Sequence, residues 1–96
     1  MCGRYTLTCR DESALIASLP FDAFSETRIE FRPRYNIAPG QRSPVIYLNG
    51  GKLVLVVACW GFEPATGALS IIARSESAER TDMFVDAYRS GRCLVP

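Results

Sequence analysis

The chain has 96 residues, 48% of them hydrophobic and 22% charged, with a formal net charge of +1. That profile fits one small soluble globular domain, residues 1–96, and excludes a global field that would draw it to nucleic acid or acidic lipid. It has no histidine, which removes the commonest general base and metal ligand, and of its 11 cations only Lys52 is a lysine.

Residues 3–8 (GRYTLT) mix aromatic and β-branched side chains and predict a first strand. Asp11 or Ser13 is placed to cap a short helix that runs through Leu19 and stops at Pro20. Residues 21–35 are polar and irregular, with Arg28, Arg32 and Arg34 close together, and "RYNIAPGQ" (34–41) reads as a loop because Pro39-Gly40 is a turn signal. "PVIYL" (44–48) and "KLVLVVACW" (52–60) predict a hairpin with Asn49-Gly50 at its turn. The run Leu53 to Ala58 is apolar on both faces, which predicts a central, buried strand. A loop over 61–69 precedes "SIIARSES" (70–77), which begins as a strand and ends polar. Thr81 or Asp82 then caps a helix through Arg89, Gly91 stops it, and "RCLVP" (92–96) begins another strand. The fold class expected is α+β: a mainly antiparallel, partial barrel-like sheet with two short helices.

Chemistry concentrates at the N-terminus. Methionine before a small residue is usually trimmed, and trimming would leave Cys2 with a free α-amine and a thiol on adjacent carbons. In general, thiols ionise near roughly 8.5 and α-amines near roughly 8, so a 1,2-aminothiol offers both nucleophiles close to neutrality. It meets an aldehyde in two steps, imine formation and then closure of a five-membered thiazolidine, so an aldehyde is the natural substrate.

The other cysteines read differently. Cys59 lies in an apolar run and Cys93 beside Leu94, so both read as buried small hydrophobes, with Cys9 a bystander. Their spacing contains no paired-ligand motif, so no metal and no cofactor is expected. With no secretory signal and no apolar stretch of membrane-spanning length, the reading is a cytoplasmic protein with reduced thiols and no membrane partner.

"MCGRY", "RPRYNIAPGQ", "CWGFEP", "ARSES" and "RCLVP" occur in this order. Together they resemble the SRAP family, the abasic-site processing proteins that shield damaged single-stranded DNA, over the first half of a typical family domain. The resemblance implies a partner, single-stranded DNA with abasic sites, and a covalent thiazolidine crosslink made by Cys2 once the protein has cut off Met1, with some strand-cleaving lyase activity. It places Gly3, Arg4, Asn36, Pro39, Trp60 and Arg74 at the DNA: Arg4 and Arg74 on phosphates, Asn36 and Pro39 in a loop against the strand, Trp60 stacking or packing. The residues alone leave plainer roles open. Arg4 and Arg74 also read as solvated arginines, Pro39 as a turn former, Trp60 as partly core, and Glu76 as an arginine's partner.

The sequence departs from the family pattern in three places. Ile72 stands where the family carries an asparagine before "AR". Ala65 and Thr66 stand where a tryptophan usually follows. The sequence ends at Pro96, before the family's acidic "DGFYEW"-like segment and its later histidine, which suggests a fragment or a shortened, dimeric relative. These departures support a second reading, a relative that binds single-stranded DNA without catalysis. Met-Cys-Gly also opens amidotransferases with an N-terminal nucleophile, but "RYNIAPG" has no place there. A small structural module with an incidental cysteine is the remaining alternative.

Overall fold

In the computed structural model, residues 2–25, 29–30, 32–65 and 67–96 are described. Eight elements follow in chain order: β1 (Tyr5–Leu7), α1 (Glu12–Ala17), β2 (Phe24–Ser25), β3 (Arg34–Ile37), β4 (Arg42–Asn49), β5 (Lys52–Cys59), α2 (Val85–Ser90) and β6 (Cys93–Leu94). β1 and β3 form a two-stranded antiparallel sheet, and a four-stranded sheet has the order β2-β5-β4-β6. The β4–β5 and β4–β6 pairs are antiparallel and β2–β5 is parallel. The architecture is the expected α+β, with mainly antiparallel pairing, and the sheets do not close into a barrel among the described residues.

The β4–β5 hairpin forms where the two apolar runs predict it, but its turn sits one residue later than expected. Asn49 is still in the ladder, paired with Lys52, and the positive φ angles fall on Gly50 (57°) and Gly51 (83°). Both central residues of this turn type need the left-handed region, which two glycines reach without Cβ strain.

Helix α1 starts at the predicted cap: Asp11 Oδ1 accepts a hydrogen bond from the Ala14 N–H at 2.8 Å. The helix lays Leu15, 2% exposed, into a core shared with Leu7, Ala23, Ile37, Ile46 and Leu55. Glu12, on the first turn, accepts from the Ile29 N–H at 2.9 Å and ties the segment after the helix back onto it. Removing the cap in Asp11→Ala leaves an orphan N–H and should cost about 1 kcal/mol. In a chain of this size that lowers Tm by about 4–8 °C, readable by thermal melting.

Several local expectations need correction. Residues 34–37 are a strand, because pairing of Tyr5 with Ile37 and of Leu7 with Arg34 claims backbone that the Pro39-Gly40 turn signal had assigned to a loop. Within 21–35, the short strand β2 joins β5 at Val54 and Leu55. Arg28 lies outside the described residues. The strand expected from residue 70 is only a single bridge, Ser70 with Phe62, and Ile71 and Ile72 are exposed, since no neighbouring strand pairs with them among the described residues. Helix α2 begins at Val85 rather than after Thr81 or Asp82, with no side-chain cap. The Thr81 hydroxyl donates backwards to the Ser77 carbonyl at 2.9 Å, so it is turned away from the helix start. The Glu76 carboxylate makes no ion pair among the described residues; Arg80 donates instead to the Glu76 carbonyl oxygen at 2.7 Å.

Candidate functional site

β1–β3 pairing sets the site. It brings Arg4, just ahead of β1, to Asn36 on β3, where the Arg4 guanidinium donates to Asn36 Oδ1 at 3.0 Å. Cys2 lies on the same approach, exposed, its thiol donating to the Arg4 carbonyl at 3.1 Å. Gly3 between them is exposed with open space around it. Three of the sequence-predicted residues, Cys2, Arg4 and Asn36, therefore form one hydrogen-bonded group.

The loop after β3 is fastened to the end of β5. Ala38-Pro39-Gly40-Gln41 is a turn closed by the Gln41 N–H on the Ala38 carbonyl at 3.1 Å, with Gly40 at φ 80°. Proline then glycine at the two central positions is what such a turn selects. Gly40 N–H donates to the Trp60 carbonyl at 2.8 Å, and Trp60 N–H to the Gln41 carbonyl at 3.0 Å. Pro39 thus has the turn role its sequence predicts and is held beside Trp60. Trp60 is half-buried against the core and meets Tyr5 edge-to-face, centroids 5.5 Å apart, an arrangement that favours aromatic pairs.

Cys2, Tyr5, Trp60 and Phe62 line a cavity of about 540 Å³, with Val45, Ala58 and Val95 adding apolar wall. That volume lies in the range of small-ligand clefts. Ser43, 3% exposed, also lines it, and its hydroxyl has no hydrogen-bond partner among the described residues. Cys59 and Cys93 line the same cavity and are exposed, correcting the expectation of burial. β5 outruns its neighbour β2, which pairs only with Val54 and Leu55, and β6 is a two-residue edge strand, so neither cysteine is covered. The Cys59 thiol donates to the Gly40 carbonyl at 3.2 Å. No group of three or more metal-ligating side chains converges among the described residues.

Gly61, also in the cavity wall, has φ 115°, and a Cβ there would fall 2.7 Å from Leu69 Cδ1 and 2.8 Å from Cγ. Gly61→Ala should therefore destabilise by about 1–3 kcal/mol, the usual cost of forcing an L-residue into such backbone. A lowered urea midpoint checks it.

Arg74 is not brought to this group. It is exposed, its carbonyl accepts from the Ser77 and Ala78 N–H groups, and its guanidinium bonds no described residue. Sequence reasoning missed Tyr5, Ser43, Val45 and Phe62. The alternation of Ser43 and Val45 along β4 was a usable signal for a shared face.

No helix among the described residues is long and apolar enough to cross a membrane. The family model described as SOS response associated peptidase (SRAP) matches residues 1–96. The chain is similar to Abasic site processing protein YoqW of Bacillus subtilis (strain 168), 31% identical over 100% of this chain and 45% of YoqW. It is likewise 31% identical to Abasic site processing protein YoaM and 30% identical to Abasic site processing protein YobE of the same organism, over 44% and 46% of their lengths. It thus spans about half the length of the curated relatives it matches. No solved structure matches. On the family match and these relatives, the chain belongs to the SRAP family.

Proposed function

We propose that this chain captures abasic sites in single-stranded DNA through Cys2, as a single SRAP-type half-domain associated with DNA. The observation that carries the reading is Cys2 at a small-ligand-sized cavity, hydrogen-bonded beside the Arg4–Asn36 pair. The relatives' names, abasic site processing proteins, support the substrate.

The chemistry balances without a cofactor. After Met1 is cleaved, the Cys2 α-amine adds to the ring-opened sugar aldehyde and loses water to form an imine. The Cys2 thiol then adds to the imine carbon, and its proton passes to the nitrogen, giving a thiazolidine. The net change is one crosslink formed and one water released. Arg4, held by Asn36, offers its remaining N–H groups to a flanking phosphate, the usual way a strand is positioned. Trp60 and Tyr5 offer apolar and aromatic surface to the neighbouring nucleotide.

The test is a denaturing gel of the protein incubated with single-stranded DNA carrying one abasic site. A heat-resistant shifted band is expected. Undamaged DNA, and DNA whose abasic aldehyde has been reduced to an alcohol, should give none. Intact mass should show Met1 gone; its retention would sink the aminothiol mechanism.

Ile72 favours a second reading. It is exposed and apolar where the family pattern has a hydrogen-bonding asparagine, and Arg74 is not drawn to Cys2. Non-covalent binding of undamaged strands with no covalent band would select this binding-only reading.

A further inference from the structure

A second recess, of about 270 Å³, shares Ser43 with the Cys2 cavity and is lined by Arg32, Arg34 and Arg42 with Glu30, over a floor that includes Leu7. The three guanidiniums differ in how they are held. Arg34 is pinned, donating to the Arg42 carbonyl and to Gln41 Oε1, each at 2.5 Å. Two of its five N–H groups suffice for those bonds, leaving donors free. Arg32 and Arg42 are exposed, and among the described residues neither guanidinium has a hydrogen-bond acceptor or a carboxylate partner. Glu30 forms no ion pair with any of the three among the described residues. Among the described residues the recess thus gathers three positive charges against one negative, in a chain whose net charge is only +1.

Its position gives it a use. Arg34, half-buried, and Asn36, exposed, lie two positions apart on β3, within the stretch where the register against β1 shifts. Asn36 holds Arg4. Arg4, Asn36 and Arg34 therefore lead in succession from Cys2 to the recess. A fork of arginine N–H groups matches a phosphate diester.

We infer that the Arg32–Arg34–Arg42 recess binds a backbone phosphate of the same single strand, beyond the residue held at Cys2. The inference rests on single-stranded DNA as the ligand but is independent of the Cys2 chemistry. Arg32 and Arg42 supply the mobile contacts, and Arg34 supplies a fixed one that also locks β3 to β4.

The test is fluorescence anisotropy with an undamaged single-stranded oligonucleotide over a salt series. The proteins compared are the unmodified chain, Arg32→Gln, Arg42→Gln, the double variant, and Arg89→Gln as control. Arg34 is left alone because its removal would break the β3–β4 link. Each phosphate contact contributes about 0.7 to the slope of log K against log salt for single strands. The double variant should flatten that slope by about 0.7, each single variant by less, and Arg89→Gln not at all. An unchanged slope in the double variant overturns the inference. So does equal flattening by Arg89→Gln, which would mean diffuse charge rather than a site. Titration of the unmodified chain with inorganic phosphate forms a second arm: saturable binding lost in the double variant while the DNA slope is unchanged means a free-anion site, and likewise overturns the strand reading. The oligonucleotide carries no aldehyde, so a flattened slope without a covalent band on abasic DNA would sink the Cys2 chemistry and leave the recess standing.

Discussion

Cys2→Ser is expected to reduce the heat-resistant band on abasic single-stranded DNA to background. The substitution keeps the α-amine and nearly the same shape, so imine formation remains open. What it removes is the second nucleophile. A thiol is a few per cent thiolate near neutrality and intrinsically very nucleophilic, whereas a hydroxyl is weak at its free pKa. The serine variant should therefore stop at the imine, which water reverses. Borohydride in the incubation separates the two steps: it reduces the imine and should restore a covalent band to Cys2→Ser. Cys59→Ser and Cys93→Ser make the companion controls. Both thiols line the cavity with Cys2, but neither sits beside an α-amine, so both variants should crosslink as the unmodified chain does. A band that survives in Cys2→Ser without borohydride, or vanishes in Cys59→Ser, would assign the chemistry to another group.

The parts of this fold set by near neighbours were legible in the sequence. The apolar runs on either side of Asn49-Gly50-Gly51 read as a hairpin, and Asp11 read as a cap, because both signals act within a few residues. The misread parts depend on distant partners. Residues 34–37 become a strand only because β1 reaches them, and residues 71–74 stay out of a ladder because no described strand meets them. Burial of Cys59 and Cys93 failed for a related reason: an apolar stretch predicts cover only if its surroundings supply it, and β2, beside Cys59's strand, is two residues long, while Cys93 sits on a two-residue edge strand. Of the site, Cys2 stood out as a candidate from two adjacent residues, Met1 and Cys2. Its grouping with Asn36, across 34 positions of sequence, could be expected only from resemblance to a family, since no local pattern encodes the Arg4–Asn36 hydrogen bond. The recess was half visible, in the close spacing of Arg32 and Arg34. Arg42 joins it only through the β3–β4 approach.

The largest effect on stability is expected from Ile46→Ala. Ile46 is 1% exposed and sits where three strands meet, paired with Leu55 of β5 and Leu94 of β6. It shares the core cluster with Leu7 and Ile37 of the small sheet and Leu15 of α1. Truncation there removes buried methyl groups and leaves a void, which costs about 2–5 kcal/mol, against about 0.5–1.5 for Ile46→Val. A domain of this length holds only about 5–15 kcal/mol in all, so the alanine variant should be partly unfolded at modest urea concentrations. The urea midpoint should fall with little change in slope. The residues beside Ile46 turn this into a test of how β4 divides the molecule. Val45 and Ser43 face the Cys2 cavity while Ile46 faces the core, as strand alternation requires. Val45 is only half-buried, so Val45→Ala should cost less stability than Ile46→Ala yet disturb the cavity directly. The expected pattern is a crossover: Ile46→Ala lowers the urea midpoint while each folded molecule crosslinks at the unmodified rate, and Val45→Ala slows crosslinking with a smaller midpoint shift. If both variants lost crosslinking only in proportion to their unfolded fraction, the cavity wall would have no part in holding the strand, and the reaction at Cys2 would depend on the Arg4–Asn36 side alone.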